Sequence, residues 1–218
     1  DASLELKPRK GFGQNADTVS NQDKGLRQTS LEKTEQNAAL LIRKNDFNAC
    51  IQLWNDYYAT TRQLSNDEIN HMSQETALHG NQSEYLEAAS KVCKILGSKR
   101  DHVHSLRNMA ILLKRLGDPK NGMVFIDEYL VLKNDCPHGL NTKGTLYTDL
   151  GLHNEAICWY MKCLELYPDY PFAHSNLANE YHICAAIDKS VIHGSRAFYE
   201  KPDNTQITLD YLTYLKRS

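Results

Sequence analysis

The chain repeats itself every 34 residues. Laid against itself at that offset, its centre aligns without a gap: Gly117 meets Gly151 and Ala185, Ala110 meets Gly144 and Ala178, Gly122 meets Ala156 and Ser190, and Pro168 meets Pro202. Self-similarity at such a period constrains the fold more than any local signal, because one short unit cannot bury its own apolar face and must stack on its neighbours. In the best copy, residues 137–170, the stretch Asn154 to Tyr167 carries Ile157, Tyr160, Met161, Leu164 and Tyr167 at helical spacing, with Glu155, Lys162 and Glu165 outside that stripe. Pro168 follows, where it stops a helix at little cost.

That copy resembles a tetratricopeptide repeat, a helix pair with small residues at its crossing points. The matching residues are Gly144, Tyr147, Ala156, Tyr160 and Pro168. The copy at 103–136 matches through Leu106, Ala110, Leu116-Gly117, Gly122 and Ile126, with Asn134 where Pro is expected. The copy at 171–204 matches through Leu177, Ala178, Tyr181, Ala197 and Pro202, with Gly194 in place of a large apolar residue. Two weaker copies lie upstream. In 31–64, Asn45 to Ile51 reads as the turn and second-helix start, with Trp54 as the large residue. In 69–102 the second helix is clear (Tyr85, Ala88, Val92, Ile95), but Glu75 and His79 occupy apolar positions of the first, so this copy reads as shifted or distorted.

The resemblance implies an all-α fold, a right-handed solenoid of about five helix-turn-helix units over residues 31–204. The units are 31–64, 69–102, 103–136, 137–170 and 171–204. Residues 1–30, polar with Pro8, Gly11 and Gly13, read as an arm outside the repeat. Residues 205–218 read as a C-terminal capping helix with an Ile207, Tyr211, Leu212, Leu215 stripe, or as the first helix of a sixth repeat.

Composition removes several functions. A net charge of -2 argues against a nucleic-acid binder that works through bulk positive charge. The charge is uneven, however: residues 91–120 hold eight Lys or Arg and two Asp, yet no Phe, Tyr or Trp on which bases could stack. The longest apolar runs, such as Ala38 to Ile42, are too short for a membrane span, and Asp1 to Lys10 does not read as a signal peptide. The six cysteines form no CxxC and read as small buried side chains in a reducing, cytoplasmic setting. Nine histidines form no HExxH, and no Gly-rich phosphate loop or GxSxG occurs. We therefore expect no enzyme, no metal site and no cofactor.

In the resembled family the first helices line a concave groove. The positions carried over are His104, Arg107, Asn108, Ile111, Lys114 and Arg115 in the third unit, His138, Asn141 and Thr145 in the fourth, and Phe172, Asn176, Asn179 and His182 in the fifth. The sixth positions, Gln36, Gln74, Asn108, Thr142 and Asn176, resemble the asparagine ladder of O-linked N-acetylglucosaminyltransferases, and such a row can bind a peptide backbone. The chaperone carboxylate clamp is not matched, since Ile111, Thr142, Phe172 and Asn176 depart from its pattern and Arg107 keeps only the charge. The implied function is a non-enzymatic scaffold binding a protein or peptide in the groove, with an acidic partner favoured near residues 91–120. The alternatives are the targeting region of a larger glycosyltransferase-like enzyme, or an adaptor that assembles as a homo-oligomer through residues 1–30.

Overall fold

The computed structural model describes residues 15–76 and 82–216. Among the described residues there are eleven helices and no strand: α1 Asn15–Arg43, α2 Phe47–Thr60, α3 Asn66–Gln74, α4 Gln82–Ser98, α5 Val103–Arg115, α6 Pro119–Leu132, α7 Pro137–Asp149, α8 His153–Leu166, α9 Pro171–Ile183, α10 Ile187–Glu200 and α11 Thr205–Leu215. The all-α solenoid is therefore present. The pairs α5/α6, α7/α8 and α9/α10 each pack tightly, and each second helix also packs on the first helix of the next pair.

The period is written in the turns. Within each pair the first helix ends on a residue with positive φ: Gly117 at 83°, Gly151 at 72° and Ala185 at 57°. The following N–H then reaches back to close the last turn, from Asp118 to Leu113 O, Leu152 to Tyr147 O and Ala186 to Tyr181 O. Asn45, φ 57°, with Asp46 N–H on Leu41 O, makes the same closure upstream. Glycine and asparagine adopt this conformation readily, whereas Ala185 holds it under strain.

The small residues permit close crossings. A Cβ on Gly144 would lie 2.4 Å from the Tyr160 ring, and one on Gly122 would lie 3.0 Å from Ala110 O. Gly194, which stands where a large apolar residue belongs, has the Tyr214 ring 2.8 Å from its would-be Cβ, so α11 supplies the missing bulk. Asn134 in place of proline changes little, because α6 ends at Lys133 (φ -143°, ψ 65°) as α10 ends at Lys201 (φ -147°, ψ 67°) before Pro202.

Two expectations need correcting. Residues 15–30, read as part of an arm, form the first half of α1; residues 1–14 lie outside the described residues. The cysteines are not uniformly interior either: Cys50, Cys93 and Cys163 are buried, Cys136 is half-buried, and Cys158 and Cys184 are exposed. Brief iodoacetamide treatment at neutral pH is expected to label the last three and spare the first three until denaturant is added, as peptide mass spectrometry would show.

Residues 69–102, read as a shifted or distorted unit, depart from the helix pairing seen in α5 to α10. The first helix there, α3, has nine residues, ends before Glu75, and packs on α4, while α4 packs directly on α2. Serine and glutamate hold α3 in place through a reciprocal cap, with Ser65 N–H donating to Glu68 Oε2 at 2.7 Å and Glu68 N–H to Ser65 Oγ at 3.2 Å. His79 lies outside the described residues.

Candidate functional site

The N-terminal ends of α5 and α7 bound a cavity of about 640 Å³ lined by Lys99, Asp101, His102, Val103, His104, Arg107, Tyr129, Lys133, Cys136 and His138. Three expected groove residues, His104, Arg107 and His138, meet here. The others come from the loops before α5 and α7 and from the end of α6. They share the 34-residue register: Lys99 with Lys133, His102 with Cys136, and His104 with His138. Repetition therefore builds the cavity wall twice, once from each unit.

The cavity is cationic with little to balance it. Arg107, half-buried, has no ion-pair partner among the described residues, and its Nε is buried without a hydrogen bond. A buried donor left without an acceptor costs about 1–3 kcal/mol, more when charged. The imidazoles of His102 and His138 sit below their ordinary range because burial disfavours the charged ring; His104 and Lys99 add to this at His102, and Arg107 at His138. At neutral pH the positive charge thus comes from Lys99, Arg107 and Lys133, against the single carboxylate of Asp101. His138 also contacts Tyr170, which lies at the register position of Cys136 in the next unit, through its Nδ1 at 2.9 Å from the phenol oxygen.

Cys136 is the N-cap residue of α7. Burial acts to raise its thiol, but a hydrogen bond with Tyr129 at 3.0 Å, the Gly139 and His138 N–H groups and Arg107 bring it below the ordinary thiol value.

Residues 137–170 match the sequence model of the tetratricopeptide repeat. The chain thus carries a tetratricopeptide repeat at these residues. Among solved structures its fold is similar to a tetratricopeptide repeat protein from Parabacteroides merdae, with 16% identity, TM-score 0.57, 85% of this chain and 72% of that one covered. It is also similar to a thermophilic tetratricopeptide repeat protein of Thermus thermophilus, with 14% identity, TM-score 0.56 and coverage of 83% and 98%. A third likeness is MamA, from residue 41 onward, of Desulfovibrio magneticus, with 11% identity, TM-score 0.53 and coverage of 80% and 96%. At these identities the likeness is one of fold. No curated protein matches the sequence.

Other groove positions of this repeat protein are already engaged with one another. Lys114 pairs with Asp149 at 3.4 Å, and Asn176 donates to Asn141 Oδ1 at 2.9 Å, each bridging adjacent first helices. Thr145 and Thr142 turn their hydroxyls onto their own helix, to Thr142 O at 2.8 Å and His138 O at 2.6 Å. Phe172 packs edge-on to Tyr170, and Lys201 lies 4.5 Å from its ring centre. His182 packs on Tyr214 of α11. Asn108 and Ile111 are half-buried, and Arg115 and Asn179 are exposed. The sixth positions thus do not form a free row of amides, since Thr142 is buried and Asn176 is spent on Asn141. Among the described residues no three His, Cys, Asp or Glu side chains converge as metal ligands, and no helix is long and apolar enough to cross a membrane.

Proposed function

We propose that this chain is a non-catalytic scaffold that holds an acidic segment of a partner protein across the α5 and α7 ends, with a partner carboxylate meeting Arg107. The tetratricopeptide fold supports a protein-interaction role, and the observation that carries the finer reading is Arg107, a half-buried cation without an ion-pair partner among the described residues. A carboxylate there would give the guanidinium its missing acceptor with bidentate geometry. Lys99 and Lys133 stand in equivalent register positions to steer it.

The test uses a panel of fluorescent Asp/Glu-rich octapeptides and their Lys-rich counterparts, read by anisotropy. Acidic members are expected to bind, and Arg107→Glu to weaken them about tenfold or more, since a charge-assisted contact is replaced by repulsion. Binding should tighten as pH falls, because a bound carboxylate restores the proton affinity that burial and Arg107 take from His138. Equal binding of acidic and basic peptides, or an affinity untouched by Arg107→Glu, would sink the proposal.

A further inference from the structure

A second cavity, of about 410 Å³, lies among the N-terminal helices, between α1, α2, α4 and the 61–68 segment. It is lined by Arg27, Leu31, Tyr57, Tyr58, Thr60, Thr61, Arg62, Leu64, Glu68 and Lys94. Its volume falls within the range of small-molecule sites.

Tyr58 is the feature that structure alone leaves unexplained. It is 5% exposed, stacks on Trp54 with ring centres 5.8 Å apart, and its hydroxyl is buried with no hydrogen-bond partner. Such an orphan is unusual in a well-packed protein and marks a place where a partner group belongs. Burial, with the charges of Tyr57, Glu68 and Glu35, pushes the phenol up, so it stays protonated and keeps a proton to donate to an acceptor.

The lining charges say what kind of acceptor. Glu68 is fully engaged, accepting Arg62 Nη1 at 2.9 Å, Arg62 Nη2 at 2.8 Å and Ser65 N–H at 2.7 Å. Lys94 pairs with Glu35 at 3.2 Å and lies 4.7 Å from the Trp54 ring centre. Arg27 has no ion-pair partner among the described residues. Three cations thus line the cavity against one carboxylate, and Arg27, without an ion-pair partner among the described residues, shares it with the Tyr58 hydroxyl. The wall is also fixed in advance. Thr60 and Thr61 donate to Tyr57 O at 3.0 and 2.8 Å, and Ser98 accepts the Leu64 N–H at 2.8 Å while donating to Gln63 Oε1. A preorganised wall loses little freedom when a ligand arrives.

We propose that this cavity binds a small oxyanion, a carboxylate or phosphate group that accepts from the Tyr58 hydroxyl and pairs with Arg27. It is independent of the Arg107 site. The test is an amide NMR titration of the whole chain with sodium phosphate and, separately, sodium acetate, at ionic strength held constant with chloride. The expected result is saturable shifts at Tyr57 to Glu68 and at Arg27 for at least one anion; which anion saturates names the source. Tyr58→Phe should raise that dissociation constant about tenfold, the loss of one hydrogen bond to a charged group. The variant should fold at least as stably as the parent, because it removes an unsatisfied buried hydroxyl. Arg27→Ala should weaken binding as well, and Arg107→Glu should not. Shifts that never saturate for either anion would overturn the site. So would equal affinity in Tyr58→Phe, which would mean that the anion binds without accepting from the Tyr58 hydroxyl.

Discussion

Gly97→Ala is expected to destabilise the N-terminal part of the solenoid by about 3 kcal/mol, the upper range for forcing bulk into a packed crossing. At Gly97 α4 passes over α2 with nothing between the backbones: a Cβ would sit 2.3 Å from Trp54 Cβ, 2.9 Å from Asn55 N and 3.0 Å from Ile51 O. None of these is the tip of a flexible side chain. Trp54 is 2% exposed and lodged among Tyr57 and Tyr58, so it cannot swing aside, and the other two atoms are backbone. Alanine is the better helix former by about 1 kcal/mol, too little to offset the clash. The damage should stay local, because stacked units touch only their neighbours. In a Trp159→Phe background, where Trp54 is the sole tryptophan, its emission should report an early transition in urea. Circular dichroism should show the remaining helices melting later. The control is Gly25→Ala on α1, which meets nothing within 4 Å and should be neutral or stabilising by up to about 1 kcal/mol. If Gly97→Ala unfolds with the parent's midpoint, the crossing is looser than described.

Gly97 also marks how far the sequence could be read. The 34-residue register showed the pairs α5 to α10, their turns and their small crossing residues, because each unit repeats the same contacts. Between α2 and α4 the contact pattern changes, and a register borrowed from the other units had no reason to single out Gly97. The helical start of α1 was hidden for a different reason. Residues 25–30 are all exposed, so no apolar stripe announces them, and they continue a helix whose packed part begins near Leu31. Once nucleated there, extension needs only local hydrogen bonds. At the site, the groove rule supplied His104, Arg107 and His138 but missed Lys99, Tyr129, Lys133 and Cys136, which lie outside the first helices or at their caps. The signal existed: Lys99 and Lys133, like His102 and Cys136, are one period apart. What no pattern could give was that Arg107 finds no ion-pair partner among the described residues while Lys114, in the same helix, finds Asp149. That depends on side-chain geometry across two units.

Acid should loosen the last repeat, and the reason is a pair of histidines. His174 on α9 and His193 on α10 face each other with Nδ1 atoms 2.9 Å apart, and His174 Nε2 lies 2.8 Å from Pro168 O. Since a carbonyl can only accept, His174 carries its proton on Nε2, so its Nδ1 accepts and His193 Nδ1–H donates. Every atom at this contact is satisfied with both rings neutral. A proton on His174 Nδ1 would force His193 to shift its own proton to Nε2 and would leave a cation in a half-buried site near Arg196, and one on His193 would place a cation near Lys189. Burial, then His174 and Lys189, push His193 down to about 4. Burial also lowers His174, with Arg196 adding to it and the Pro168 carbonyl, Asp169 and Glu200 opposing. Tyr181, stacked on His193, is the remaining titratable neighbour. The sign follows from proton counting. Between an ordinary imidazole value near 6.5 and about 4, the unfolded chain binds more protons than the folded one, so stability is whole above 6.5 and falls as pH drops through that window. The gap corresponds to roughly 3 kcal/mol, and solvent screening at a half-buried ring brings the expectation to about 2 kcal/mol. Urea unfolding at a series of pH values should show this loss, and His193→Gln, which can still donate to His174 but cannot titrate, should flatten most of it. An unchanged pH slope in His193→Gln would place the acid sensitivity elsewhere in the chain.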